Sequence, residues 1–484
     1  MNKVFTAYLL SAVIMLSLMS CSNSNNTIPI TTASDEALEY YIEGLELAQN
    51  IRGQEALYYY SKAIGEDPEF AMAYVQLALV QTTPKLAYKY LNKAKALIDN
   101  VSEGEALTIL ATEAGFNGEL EKQNNYLLTL IERYPNDANT HRIYGNFQYG
   151  LAKYKSAIKH LKRSLELNPA LTQPYNILGY SYRQIGDYDE AEKYLLKYIE
   201  IISEDPNPYD SYAELLLKKG EFAKSIEYYR KALEIQPKFF ASKIGIATNL
   251  TLMEEHDAAC DELETIREET NDPGILQQMN FAKSVVNVDR RDFDQAIGFI
   301  ENNISISKEI KDNLSLGNEL NNLGTLYLMQ GDNKKSLKYF EKSLEYFERS
   351  DISQDLKYYL RRQLFVNTGW LAYLKEDLET LKKHKEKYIS SAPQALNLNE
   401  IRNVHVLGGH INMLEHDYAN AIYEYNQANL ENPRIVYLIG SAYENLGDYE
   451  SAYENYSTAA HFNALNSLNY AYIRKIALEK LEEF

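Results

Sequence analysis

Apolar and small residues recur along this chain with a period of 34 residues. Five consecutive blocks share it without a gap, starting at Gly104, Ala138, Thr172, Pro206 and Phe240. Within a block the apolar positions follow helical spacing twice. In residues 172–205, Tyr175, Leu178, Gly179 and Tyr182 line one helical face; after Gly186-Asp187-Tyr188, the residues Ala191, Leu195 and Tyr198 line another. The interruption recurs as Gly220-Glu221-Phe222, Gly331-Asp332-Asn333 and Gly447-Asp448-Tyr449. A glycine just past a helix takes the left-handed conformation that closes the last turn. Each block therefore predicts two amphipathic helices joined by a tight turn. Small residues at the eighth place (Ala111, Gly145, Gly179, Ala213, Ala247) and at the twentieth (Ala157, Ala191, Ser225, Ala259, with Gln123 the exception) predict close helix approach, with large side chains filling the remaining space. A fixed period in this range is the signature of stacked repeats, which present one long inner surface rather than an enclosed catalytic pocket.

Further places sharpen the pattern. Tyrosine stands at place eleven (Tyr182, Tyr327, Tyr443), a large residue at twenty-four (Tyr60, Leu161, Tyr229, Phe340, Tyr425, Tyr456) and proline at thirty-two (Pro68, Pro135, Pro169, Pro237). In this the chain resembles the tetratricopeptide repeat family. The resemblance implies an all-α, right-handed superhelical solenoid of antiparallel helix pairs, with about twelve units over residues 37–466. Residues 71–103 form a shortened copy, 274–316 and 351–401 are stretched, and 317–350, 402–432 and 433–466 are recognisable again. In residues 467–484, Leu468, Tyr470, Ile473, Ile476, Ala477 and Leu481 make an apolar stripe, and Arg474, Lys475, Glu479 and Glu482 face elsewhere. That predicts a C-terminal capping helix, one face on the last repeat and one in water.

The N-terminus carries a different signal. Lys3 precedes an apolar stretch from Val4 to Met19, which ends at Leu18-Met19-Ser20-Cys21. This is the layout of a secretory signal, and it is too short for a membrane span, which needs about 20 apolar residues. The cysteine after Leu-Met-Ser resembles a bacterial lipobox. The resemblance implies that residues 1–20 are removed and that Cys21 is acylated, for instance with palmitate. The alternative is an ordinary signal peptide with an incidental cysteine. Residues 21–36 are polar and lack apolar periodicity, so they predict a flexible tether. The first helix is expected near Asp35, with Ser34 as N-cap. Ser22, rather than an aspartate, follows Cys21. In lipoproteins of this kind that implies an outer-membrane location, with the repeats facing the periplasm.

Charge and cysteine content narrow the partners. The chain has 49 basic and 68 acidic residues for a net charge of −19. An acidic surface disfavours nucleic acid and anionic lipid as partners. With Cys21 acylated, Cys260 has no intrachain partner, so no disulfide framework exists; it is expected to be a buried structural thiol. Tyrosine is abundant, 41 residues against one Trp, and its recurrence at repeat places assigns most of it to packing.

No catalytic constellation emerges. Gly331-Asp332-Asn333-Lys334-Lys335-Ser336 lacks the glycine spacing of a phosphate loop and falls at a repeat turn. His405, His410 and His416 are spaced by five and six, which does not stack imidazoles on one helix face, so no metal or cofactor is expected. What packing leaves unexplained is a polar stripe at places two, five, nine and twelve of the first helices. It reads Asn139, Arg142, Asn146 and Tyr149, then Gln173, Asn176, Tyr180 and Arg183, then Asn207, Asp210 and Glu214. In tetratricopeptide proteins such a stripe lines the groove that binds peptides. Arginine can take a carboxylate in bidentate fashion. The equivalent stripe of block 240–273, with Ala241, Ile244, Thr248 and Thr251, is uncharged.

The sequence is therefore read as a non-enzymatic, lipid-anchored envelope scaffold that binds protein or peptide partners through Arg142, Asn146, Tyr149, Asn176, Tyr180, Arg183, Asp210 and Glu214. The competing reading is a glycan-binding outer-membrane lipoprotein of the nutrient-uptake type. That class breaks its repeats with large loops rich in Trp, Asn and Gly, and this chain has nearly ungapped repeats and one Trp.

Overall fold

The computed structural model describes residues 27–49, 52–81, 84–350, 352, 354–391, 398–464 and 467–484. The signal segment, Cys21 and residues 22–26 lie outside them. The described residues form two compact units, one up to Gly186 and one from Asp187. The first contains α1 (Asp35–Gln49), α2 (Gly53–Glu66), α3 (Ala71–Leu79), α4 (Pro84–Ala96), α5 (Glu103–Phe116), α6 (Leu120–Arg133), α7 (Ala138–Gly150), α8 (Tyr154–Leu167) and α9 (Gln173–Gln184). The second begins with α10 (Tyr188–Ile201), α11 (Pro206–Lys219), α12 (Phe222–Ile235), α13 (Phe240–Leu252), α14 (His256–Glu269), α15 (Pro273–Asp289), α16 (Phe293–Glu309), α17 (Asn313–Met329) and α18 (Asn333–Arg349). It continues with α19 (Gln354–Leu374), α20 (Leu378–Ser390), α21 (Leu398–Leu414), α22 (Tyr418–Asn426), α23 (Pro433–Leu446), α24 (Tyr449–Ala460) and α25 (Leu468–Leu481). Among the described residues every regular element is helical, as an all-α repeat solenoid requires.

The turns follow from the Gly-Asp pairs. Gly220 and Gly447 close α11 and α23 in the left-handed region, at φ 81° each. Where aspartate follows such a glycine it caps the next helix: Asp448 accepts from Ser451 N at 3.1 Å, and Asp332 from Lys335 N at 3.0 Å; Glu221, after Gly220, makes no such bond. An N-cap of this type is worth about 1 kcal/mol. Ser34 caps α1 in the same way, accepting from Ala37 N at 3.1 Å.

Packing inside a pair rests on one recurring contact: the large side chain at place twenty-four lies on the bare backbone at place eight. A Cβ built on Gly44 would meet the Tyr60 ring at 2.5 Å, one on Gly324 the Phe340 ring at 2.5 Å, and one on Gly145 the Leu161 side chain at 2.7 Å. Where place eight is alanine, Ala111 packs with Leu127, Ala213 with Tyr229 and Ala247 with Leu263. Full burial of a Leu or Phe side chain stabilises by roughly 1.5–3 kcal/mol. Tyr60, Tyr425 and Tyr456, all at place twenty-four, are fully buried. Two of their hydroxyls find polar partners: Tyr456 donates to Glu444 Oε2 at 2.6 Å, and Tyr425 bonds His410 Nδ1 at 2.7 Å. The stretched units have longer helices: α15 and α16 have 17 residues each and α19 has 21. Cys260 is half-buried rather than fully buried; burial pushes its thiol pKa up, away from reactive thiolate.

Two terminal segments differ from expectation. The flexible tether expected over residues 21–36 does not extend through Ile28–Ala33, which form an extended strap across the starts of successive helices. Ile28 N donates to Asp137 Oδ2 at 3.1 Å, Thr31 N and hydroxyl to Glu105 at 2.8 and 2.6 Å, and Thr32 hydroxyl and Ala33 N to Asp67 Oδ2 at 2.6 and 2.9 Å. Ser102 donates to the Pro29 carbonyl at 3.1 Å. The strap is held largely through its own backbone, which leaves no side-chain periodicity to read.

The C-terminal helix also departs from the expected cap with one face in water. α25 packs on α15 and α17 as well as on α23 and α24. Leu468 and Ala471 join the core formed by Leu217, Leu252, Val285 and Val288. Arg474, expected in solvent, donates from Nη1 to both oxygens of the wholly buried Asp289 at 2.9 Å each, and from Nη2 to Glu254 at 2.7 Å and the Leu252 carbonyl at 3.1 Å. Lys475 binds Glu254 at 2.5 Å. Removing one partner of a buried ion pair typically costs about 3–5 kcal/mol. His256 Nε2, at 2.9 Å from Asp289, and Lys475 would remain. Arg474→Ala is therefore expected to destabilise the second unit by about 3 kcal/mol, the low end of that range. Amide exchange across residues 468–481 is expected to accelerate together with the fall in unfolding midpoint. Unchanged exchange there would refute the clamp.

Candidate functional site

In the first unit, the inner-face stripe comes from α7 and α9. Arg142 donates from Nη1 to Gln173 Oε1 at 2.8 Å and from Nε to Asn139 Oδ1 at 3.1 Å. Asn146 Nδ2 donates to the same Gln173 oxygen at 2.9 Å. The guanidinium thus rests on neutral amides. No carboxylate of the described residues lies within ion-pair distance of it, and its neighbours include the buried phenols Tyr41 and Tyr60. Burial lowers its pKa from the ordinary value. The carboxamide oxygens of Asn146 and Asn176 and the Tyr60 hydroxyl are buried and lack a hydrogen-bond partner among the described residues. Unmet buried polar atoms cost about 1–3 kcal/mol each, so this patch is short of donors at the Asn oxygens and of an anion at Arg142. Beside it the Arg183 guanidinium stacks 4.6 Å from the Tyr180 ring centre, and Tyr149 lies 5.6 Å from Tyr154.

In the second unit the stripe residues are placed differently. Asn207 and Asp210 are buried between helices rather than open on a groove. Asn207 Nδ2 donates to the Tyr198 hydroxyl at 3.0 Å, and Asp210 Oδ1 accepts from Ser242 at 2.6 Å. Glu214 is half-buried one turn further along α11. Burial, with Glu214 adding its charge, pushes the Asp210 carboxyl up to about 7 in spite of the Ser242 bond.

The three histidines of residues 405–416 go to separate partners. His405 bonds Glu424 at 2.6 Å, His410 bonds Tyr425, and His416 bonds Tyr418 at 2.9 Å. Burial pushes His410 down to about 3, so it is neutral. Among the described residues, Glu254, His256 and Asp289 form a three-ligand group of the kind that can hold a metal. Arg474 and Lys475 already occupy its carboxylates.

Two notable residues escaped the sequence reading. Arg434, at place two of its block, lies with its guanidinium 4.8 Å from the Trp370 ring centre, and burial pushes its pKa down to about 10. The stripe rule that selected Arg142 would have selected it. Glu319 is buried on α17 at a place the stripe does not include, and nothing in the sequence separates it from the exposed acids nearby.

Three models described as tetratricopeptide repeat match the chain, at residues 172–205 and 433–460, at 206–239, and at 320–350. No curated protein matches it significantly. Among solved structures it is similar to the APC/C hetero-tetramer Cut9–Hcn1, at 15% identity over 98% of this chain and 81% of that one with a TM-score of 0.42. It is also similar to a human IFIT1 dimer with m7Gppp-AAAA, at 15% identity over 90% and 92% with a TM-score of 0.40. A third is the MamA protein, at 20% identity over 34% and 90% with a TM-score of 0.30.

The Asp210 environment gives a pH signature. Its folded pKa is raised, so the protonated form is favoured by the fold. The stability this contributes is complete below the unfolded value near pH 4 and is lost as pH rises through about 7. Melting midpoints measured from pH 4 to 8 should therefore fall more steeply for the native protein than for Asp210→Asn. Parallel curves would show that Asp210 is not held protonated.

Proposed function

We propose that this chain, which belongs to the tetratricopeptide repeat family, is a non-catalytic scaffold of the bacterial envelope that binds protein or peptide partners on the inner face of its repeats. It is anchored by acylation of Cys21, on the outer membrane and facing the periplasm. The observation that carries the binding reading is the Arg142 patch: a guanidinium held by Asn139 and Gln173, without a carboxylate of its own among the described residues, beside buried Asn146 and Asn176 oxygens that lack donors. An extended peptide supplies both missing partners. Its carboxylates complete Arg142 through charge-assisted bonds, and its backbone N–H groups reach the Asn oxygens. The strap of residues 28–33 gives the same chemistry within the chain, since its N–H groups already bond Asp67, Glu105 and Asp137.

Capture of partners from an envelope extract, repeated with Arg142→Ala combined with Arg183→Ala, tests this reading. At least one partner should be lost or reduced about tenfold or more, the size of one charge-assisted hydrogen bond. If the double variant retains every partner at full yield, the Arg142 patch is not the binding surface. The anchor is tested separately. Cys21→Ser should move the protein from the membrane fraction to the soluble fraction, and continued membrane association would rule out lipidation at Cys21.

A further inference from the structure

The inner face of the second unit contains a cavity of about 540 Å³ that the polar stripe does not predict. Three first helices, α13, α15 and α17, supply most of its lining, with Ile244, Phe281 and Val285 among its apolar walls and Glu319 its one charged residue. The threonines on its α13 side present methyl groups, because Thr248 and Thr251 turn their hydroxyls back to the carbonyls of Ile244 (2.9 Å) and Ala247 (2.7 Å). Gln277 spends its amide on Ser307 at 2.8 Å and Ser315 at 3.2 Å.

Glu319 is the exception in this lining. It is 8% exposed, and among the described residues its carboxylate accepts only from Asn303 Nδ2 at 3.3 Å and Asn322 Nδ2 at 3.1 Å. A carboxylate has about four acceptor sites. No Lys, Arg or His of the described residues forms an ion pair with it; burial and the two amides are the influences on it, and burial raises its pKa above the ordinary range. Two other buried acids of this unit do have a cation, Asp289 with Arg474 and Glu400 with Arg362. A buried carboxylate without a cation is costly, and here it borders a cavity wide enough to admit one.

We propose that this cavity binds a segment of a partner protein in which a Lys or Arg stands next to a bulky apolar side chain, the cation on Glu319 and the apolar group among Ile244, Phe281 and Val285. The cavity is shared by three successive first helices, so a chain can run along it from one repeat to the next. The site selects a cation, where the Arg142 patch selects an anion, and either can fail without the other.

Fluorescence anisotropy on the full chain tests the site, using labelled Gly-Leu-Lys-Phe-Gly, its Gly-Leu-Gln-Phe-Gly counterpart, and hexylamine as competitor. The native protein should bind the Lys peptide about tenfold or more tightly than the Gln peptide, the ratio that one charge-assisted hydrogen bond carries. Glu319→Gln, nearly isosteric, should abolish that preference. Thr248→Trp, which fills the cavity and leaves Glu319 in place, should abolish binding of both peptides, so the test does not depend on one variant's folding. Equal affinity of the native protein for the two peptides, no binding of either at millimolar concentration, or a preference that survives Glu319→Gln would overturn the proposal. So would hexylamine competing at the same concentration as the Lys peptide, which would make the ligand a small amine.

Discussion

A large side chain at place twenty-four pressed on a bare or nearly bare backbone at place eight sets the geometry on which the rest of this protein depends. The contact recurs with Tyr60 on Gly44, Leu161 on Gly145, Phe340 on Gly324 and Tyr456 on Gly440. Each brings two helices close enough that a Cβ at place eight would press on the large side chain, and each fixes which face of the first helix is spent on its partner. The remaining face, at places two, five, nine and twelve, is then free to carry polar chemistry in one block and apolar chemistry in another. Arg142 on neutral amides and the apolar cavity ending at Glu319 are two outcomes of one packing rule.

The chain also uses its own ends as ligands. The strap of residues 28–33 binds three acidic side chains through backbone N–H groups and hydroxyls, and α25 inserts Arg474 onto Asp289. Repeat units have complementary surfaces only for their neighbours, so terminal segments with different chemistry must cover what neighbours do not. In this protein they reach well beyond the terminal pair. The C-terminal helix contacts residues from α13 to α17, which places its ion network at the C-terminal ends of helices whose middles line the cavity. Partner binding and self-binding therefore occupy adjoining parts of the same helices.

Most of the fold was legible because it is periodic. Places eight and twenty-four, the Gly-Asp turns and the Ser34 cap are local rules, and each is satisfied within a few residues or a fixed spacing. The strap is not legible because backbone hydrogen bonds to distant acids leave no residue pattern. The Arg474 contact is not legible because its partner, Asp289, is remote in sequence and polar residues on a helix face ordinarily denote solvent. The candidate site was legible in part. Spacing alone grouped Arg142 with Asn146, but it also selected Asp210, whose burial only the packed helices reveal. Glu319 lay outside the rule, since a buried acid and an exposed one are the same letter.

The most direct test of the packing rule is a double-mutant comparison in the pair α17–α18. Gly324→Ala places a methyl group against the Phe340 ring, and overpacking of this kind costs about 1–3 kcal/mol. Adding Phe340→Leu recreates the alanine–leucine combination found at Ala111 with Leu127 and Ala247 with Leu263. Unfolding midpoints in urea should fall for Gly324→Ala and recover in part for the double variant. A single change without effect, or two changes whose costs merely add, would contradict the account.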